Sequence, residues 1–205
     1  MTLKDIEKFY NSIDKDEEEK YSKLKCYDIY SKKIKFKNKI GTIENLIEIH
    51  KYIFDKVYGN FAGLVRDKPL YKGNFIFCMP IYINSNIEQI NNNFAKTIDD
   101  IIEKYCDVNV LHPFYEGNGR STRIWLDLIL IKKFKAAIDW NKVNKKDYLD
   151  AMKKSIVNTD DIKEILKNAI TTNIDDRELF MKGIDASYEI ENINNYNTKD
   201  LVKGE

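Results

Sequence analysis

The chain has 205 residues, with 34 Lys and Arg against 33 Asp and Glu and a formal net charge of +1. That length suits one domain with a sizeable core, and the balanced charge argues against a general nucleic-acid or polyanion binder while leaving room for a local basic site. No run approaches the roughly eighteen apolar residues of a membrane span. Three separated cysteines, Cys26, Cys78 and Cys106, lack metal-ligand spacing, so reduced thiols are expected. The first seven residues lack the basic-then-apolar order of a secretory signal, and a cytoplasmic protein is the expectation.

Residues 2 to about 23 read as one helix, with Ile6, Phe9, Tyr10 and Ile13 on one face. The charge run over residues 14–20 reads as a solvated helix or turn. Thr42 caps a strong helix to about residue 58, whose buried stripe is Leu46, Ile47, His50, Ile53, Phe54 and Val57. Residues 59–80 hold three of the eight glycines and two of the three prolines, which excludes a continuous helix. Within that stretch Asn74-Phe-Ile-Phe-Cys78 is aromatic and β-prone, so a small hairpin near Gly73 is expected.

A helix over residues 86 to about 107 would bury Ile87, Ile90, Phe94, Ile98, Ile101 and Ile102. Another starts near Ser121 and runs to about Lys132. Residues 144–158 and 160–172 read as two more helices. Residues 175–182 read as a short helix closed by Gly183, and residues 187–193 as a last one before a polar tail, 194–205, with little to bury. The fold class is therefore all-α with a short β-hairpin. Residues 1–182 form the domain, with its core at about 42–172, and residues 183–193 a C-terminal helix.

One stretch specifies chemistry: His112-Pro-Phe-Tyr-Glu-Gly-Asn-Gly-Arg-Ser-Thr-Arg123. A glycine turn opens a helix there, and unpaired N–H groups with the positive end of the helix dipole favour an anion. Gly117 and Gly119 let the backbone curl around it, and Arg120 and Arg123, three apart, are neighbours on one face. The stretch reads as a polyphosphate cradle beside a histidine. His112 suits a general base, against the alternative of a loop histidine packed under the helix. His50, on its buried stripe, reads as structural, and Phe114 as a core anchor of the loop. Glu116 can hold Mg²⁺ together with substrate phosphates, or can simply sit well at a helix N-terminus. Asn118 and the Gly117 and Gly119 backbones would contact phosphates. Arg120 and Arg123 would neutralise them or form ion pairs on a solvated face.

This string resembles, position by position, the Fic-domain motif H-x-F-x-(D/E)-G-N-G-R-x-x-R. The resemblance implies a Fic-like helical domain that transfers AMP from ATP to a Tyr, Ser or Thr hydroxyl of a target protein. His112 would deprotonate the hydroxyl, and Mg²⁺–pyrophosphate would leave, stabilised by Glu116, Arg120 and Arg123. Residues 51–66 look like the helix and turn that precede the family's flap. Lys72, Gly73, Asn74 and Phe75 look like the flap hairpin, which docks the target's main chain.

Ser187-Tyr-Glu-Ile-Glu-Asn192 fits the family's inhibitory pattern (S/T)-x-x-x-E-(G/N), and four-residue spacing puts Ser187 and Glu191 on one helical face. A short acidic surface helix is the competing reading. By resemblance to the class with a C-terminal inhibitory helix (class III), Glu191 would pair with Arg123 and deny it to the γ-phosphate, with Asn192 completing the pattern. Tyr188 would be a candidate for automodification. The implied partners are ATP, Mg²⁺ and a hydroxyl-bearing protein, with no membrane and no direct nucleic acid; a homo-oligomer controlling the inhibitory helix fits the same scheme. Alternatives are a Fic-fold deadenylylase, a transferase of another phosphate-linked group, or a catalytically silent nucleotide-binding module.

Overall fold

The computed structural model describes residues 2–73 and 75–203. In chain order the elements are α1 Leu3–Asn11, α2 Lys15–Tyr30, α3 Ile43–Tyr58, β1 Tyr71–Lys72, β2 Phe75–Ile76, α4 Pro80–Asn92, α5 Ile98–Leu111, α6 Asn118–Phe134, β3 Ala137–Ile138, α7 Lys145–Lys154, α8 Asp160–Asn168, β4 Ile170–Thr171, α9 Arg177–Glu189 and α10 Thr198–Lys203. The domain is helical with a small hairpin, β1 pairing antiparallel with β2. Among the described residues, no helix is long and apolar enough to cross a membrane.

The centre of the domain is α6. Ile124, Trp125, Leu126, Ile129 and Leu130 are all buried, as befits a helix enclosed on most sides. Packed against it is α3, whose Ile43, Leu46, Ile49, Ile53 and Phe54 are fully covered. The Trp125 indole N–H donates to the Thr42 carbonyl at 3.0 Å, fixing the start of α3 on α6.

Several boundaries differ from the sequence reading, each for a local reason. The first helix is two, because Asp14 takes the N-H groups of Asp16 and Glu17 and so begins α2 rather than continuing α1. The charge run it opens is solvated over residues 14–17, but Glu18 and Glu19 are buried. The helix expected over 86–107 also splits. Pro80 starts α4 early, from a first-turn position that needs no N–H. Thr97 and Asp100 form a capping box that starts α5 anew. Phe94 falls between them and is 74 % exposed instead of buried.

Toward the C-terminus, β3 pairs with β4, Ala137 opposite Thr171 and Ile138 opposite Ile170, and this ends α8 before residue 172. The buried Asp127 carboxylate ties the region together, accepting from Tyr30 Oη, the Ile138 N–H and Trp140 Nε1. Gly183 does not close a helix. It lies inside a continuous α9, in the position where that helix faces Trp140, so the helix expected over 187–193 is the last part of α9 and the turn after it. Nor is the tail loose. Lys23, completely buried, donates to Asp185, Asn194 Oδ1 and the Tyr196 carbonyl, while Thr198 is buried with its hydroxyl on Asp185. A polar tail packs here because its backbone finds charged partners, which hydrophobic patterning does not register.

Candidate active site

The loop between α5 and α6 is shaped by two residues with positive φ. His112 ends α5 in the left-handed region (φ +47°), and Gly117 precedes α6 at φ +76°. Gly117 is needed for space as well as conformation, since a Cβ there would run into the Phe54 ring. His50 braces the same loop from beneath. Its Nδ1 accepts the Gly63 N–H and its Nε2–H donates to the Glu116 carbonyl, both at 2.9 Å, and its ring stacks on Phe114. Burial pushes its pKa down to about 3, so it is a neutral structural histidine, as its place on the stripe suggested.

Arg66 holds the other side of the loop. It is 2 % exposed and donates to the backbone carbonyls of His112, Leu111, Lys68 and Cys78, the first at 2.6 Å. The sequence reading placed it only at the end of a turn. A lone arginine that caps carbonyls leaves no pattern to read. Asn118 also differs from expectation. Its side chain takes the Phe114 N–H and gives a hydrogen bond to the Phe114 carbonyl, so it staples the loop instead of reaching outward to phosphates.

His112 is half-buried, with its Nδ1–H on the Asn109 carbonyl at 3.2 Å. This fixes the tautomer and leaves the Nε2 lone pair free to take a proton. Burial pushes its pKa down to about 4, helped by the charges of Arg66 and Lys72, so at neutral pH it is in the basic form. The Phe77 ring stacks on it, with Phe75 edge-on to Phe77, so the β1–β2 hairpin is joined to His112 through two aromatic rings. Lys72 and Gly73 are exposed at the hairpin's end, and the Lys72 charge acts on both His112 and Glu191. Asn74 lies outside the described residues.

The start of α6, directly after Glu116 and Gly117, has no side-chain cap on its first-turn N–H groups. The Glu116 side chain is 44 % exposed there, and Gly117 donates its N–H to it at 3.2 Å. Among the described residues no three His, Cys, Asp or Glu side chains gather to hold a metal. One open carboxylate beside an anion cradle fits Mg²⁺, which keeps waters and shares phosphate oxygens instead of needing an all-protein cage.

The two arginines are buried and already occupied. Glu191 bridges them, with Oε1 2.6 Å from Arg123 Nη2 and Oε2 2.9 Å from Arg120 Nε. Burial works against that charge, but the two guanidiniums hold the Glu191 carboxyl below the usual carboxylate range. Arg123 also donates from Nε to Ser187 Oγ and from Nη2 to the Ser187 carbonyl. Gly119 leaves the room that the Glu191 carboxylate fills; a Cβ there would collide with it. Asn192 has φ +60°, which explains Gly or Asn at that place in the pattern, and its Oδ1 accepts from Lys145 Nζ together with the Glu189 carbonyl. Lys145 was not singled out from sequence.

Tyr188 is corrected. Its hydroxyl is buried, donating to Ser22 at 2.7 Å beside Cys26, so the folded chain does not offer it for modification. Arg120 is also more enclosed than expected: Nη1 meets Glu18 at 2.8 Å, and Nη2 meets Tyr58 at 3.1 Å and Glu116 at 3.5 Å.

Residues 41–130 match the model of the Fic/DOC family. A protein of Escherichia coli K12 named "Probable protein adenylyltransferase Fic" is 25 % identical over 120 residues, which is 53 % of this chain and 59 % of that protein. The Caenorhabditis elegans protein adenylyltransferase fic-1 is 31 % identical over 99 residues, 44 % of this chain and 19 % of its own length. The chain therefore spans less than two thirds of these relatives. The solved structure of BepC, a VirB-translocated effector of Bartonella tribocorum with bound AMPPNP, superimposes with a TM-score of 0.65, covering 80 % of this chain and 87 % of that one. At 15 % identity that likeness speaks for the fold alone.

Proposed function

We propose that this chain, whose residues 41–130 carry a Fic/DOC domain, is a protein adenylyltransferase held off by its own Glu191. The observation that carries the reading is the Glu191 carboxylate lying between Arg120 and Arg123, a negative charge where the phosphates of ATP would otherwise bind.

In the released state the first-turn N–H groups of α6 and the two arginines receive the polyphosphate. His112 Nε2 takes the proton of a target Tyr, Ser or Thr hydroxyl. The oxygen forms a bond to the α-phosphorus, the bond from that phosphorus to the bridging oxygen breaks, and pyrophosphate leaves with the electron pair. Arg120 and Arg123 face the charge that develops on the departing group. Glu116 would hold Mg²⁺, which when bound neutralises phosphate charge. An extended target segment would lie along the hairpin, with main-chain contacts presenting the hydroxyl. With Glu191 in place Arg123 is denied to the nucleotide, and misplacement of the α-phosphorus by about an ångström costs on the order of a hundredfold in rate.

The test is transfer of label from α-³²P-ATP to protein in a lysate, comparing the wild type with Glu191→Gly and with Glu191→Gly/His112→Ala as blank. Strong labelling by Glu191→Gly alone supports the reading, and equal labelling by wild type and Glu191→Gly sinks the inhibition. Label moving from the γ-position instead would make the chain a phosphoryl transferase. Removal of AMP from labelled protein would make it a deadenylylase. Nucleotide bound with no transfer would make it a silent binding module.

A further inference from the structure

Arg120 meets two carboxylates at close range, and they are held very differently. Glu18 is 1 % exposed in the first turn of α2, its Oε1 accepting from Arg120 Nη1 at 2.8 Å and from the Tyr58 hydroxyl at 2.6 Å, its Oε2 from Lys15 Nζ at 2.9 Å. Despite that burial, Arg120 and the hydrogen bonds keep the Glu18 carboxyl below its usual range. Glu191 sits beyond the last residue of α9, its side chain 22 % exposed, and both its oxygens rest on guanidiniums. One counter-charge is buried on a helix and held by three side chains; the other is part-exposed on a short turn.

The orientation of Arg120 sharpens the contrast. The guanidinium lies over the rings of Phe54 and Tyr188, 4.8 Å and 5.4 Å from their centroids. Glu18 takes the Nη1 side. The opposite edge, Nε with Nη2, lies against Glu191, Tyr58 and Glu116; Nε is 2.9 Å from Glu191 Oε2, yet its N–H forms no hydrogen bond among the described residues. That edge carries the parallel N–H pair suited to a phosphate.

We infer that Glu18 is a positioning residue for Arg120, which keeps the Nε–Nη2 edge turned toward the phosphates once Glu191 has left. Without the Glu18 charge a buried guanidinium would take the nearest remaining carboxylate, Glu116, now loosely placed at 3.5 Å. That would consume the phosphate-facing edge and the carboxylate meant for the cation together. The inference rests on the reading of this site as one that binds ATP for transfer, and it adds α2 to the machinery.

The test compares Glu191→Gly with Glu191→Gly/Glu18→Gln, checking fold by circular dichroism and measuring affinity for a non-hydrolysable ATP analogue with Mg²⁺ by calorimetry. The expected result is about a tenfold weaker Kd, with the Mg²⁺ concentration for half-maximal binding raised several-fold. A purely structural role would lower the folded fraction and leave the Kd of the folded protein alone. A Kd and Mg²⁺ dependence within about twofold of Glu191→Gly overturn the inference. Should the double variant not fold, Glu191→Gly/Tyr58→Phe removes the hydroxyl shared by Glu18 and Arg120 without removing a charge. A weakening of about two- to fivefold is then expected, and none overturns the inference. If Glu191→Gly binds the analogue but moves no AMP, the transfer reading fails while the two affinities still decide on Glu18. If it binds no nucleotide, both fail.

Discussion

The rings of Phe77 and His112 lie face to face, centroids 3.7 Å apart and planes 17° apart. The residue after the hairpin's second strand is thus the platform of the expected base, while the Cys78 N–H beside it donates to the Val110 carbonyl of α5 at 3.1 Å. Hairpin and base share one packed joint, so whatever lines up along the hairpin is set relative to Nε2.

That joint predicts a separation of binding from chemistry. Phe77→Ala in the Glu191→Gly background should lower kcat about tenfold, because the imidazole loses its platform and reaction rates fall steeply with small misplacements. The KM for ATP should change by less than about twofold, since Phe77 does not adjoin the arginines. Steady-state labelling over a range of ATP concentrations measures both, and a change in KM alone would contradict the joint.

Lys145 offers a graded release. Its ammonium ties the Glu189 carbonyl to Asn192 Oδ1, the two residues flanking the turn that carries Glu191. Lys145→Ala should raise AMP transfer by the otherwise wild-type chain about three- to tenfold, in keeping with the loss of one or two charge-assisted hydrogen bonds. The rise should stay below that of Glu191→Gly, because the arginine contacts remain. Unchanged transfer by Lys145→Ala would mean that the turn holds its shape unaided.

The pH profile of transfer follows from His112. Burial puts its pKa at about 4, and the base must be neutral to accept a proton. Its protonation should therefore leave kcat flat from pH 8 down to about pH 5.5 and depress it only below about pH 5. Measurements on Glu191→Gly avoid mixing in release of Glu191 from the arginines. A break near pH 6.5 would show an imidazole exposed to water instead.

Stability should respond to pH through His50. Its folded pKa of about 3 lies below the unfolded value near 6.5, so the unfolded chain binds more protons between them and stability falls as pH drops through that window. Asp127, pushed up to about 6 by burial, works in the opposite direction between about pH 4 and 6. The informative quantity is therefore the difference between wild type and His50→Gln in urea midpoint at pH 7 and pH 5. That difference should shrink on acidification, because only the wild type loses the His50 contribution.

Much of this architecture was legible because it rests on local signals. Thr42 before an apolar stripe gave α3, and a twelve-residue string gave the loop that joins α5 to α6. Capping residues that interrupt a good apolar period were overlooked: Asp14 and Thr97 each restart a helix that hydrophobic spacing alone would continue. The missed site residues share another property. Glu18, Arg66 and Lys145 act through contacts more than forty residues away in sequence, and a charged side chain that will be buried looks like any surface charge until its partner is known. Conversely, Tyr188 was suggested by its nearness to Glu191 along the chain, although a helix turns neighbouring side chains to different sides.

The continuity of α9 through Gly183 bears on how tightly such a site can be shut. With no separate helix to swing, Glu191 hangs from a turn of about three residues beyond a rigid rod whose Tyr188 is anchored in the core. Opening is then a local rearrangement of a turn pinned before it by Tyr188 and after it by residues 194–198, an equilibrium of the kind that folded proteins visit without unfolding. On the proposed reading, silence is a population and not a wall. A chain so held should leak in proportion to the fraction of time the turn is open, and any binder that prefers the open form would act as an activator by mass action alone.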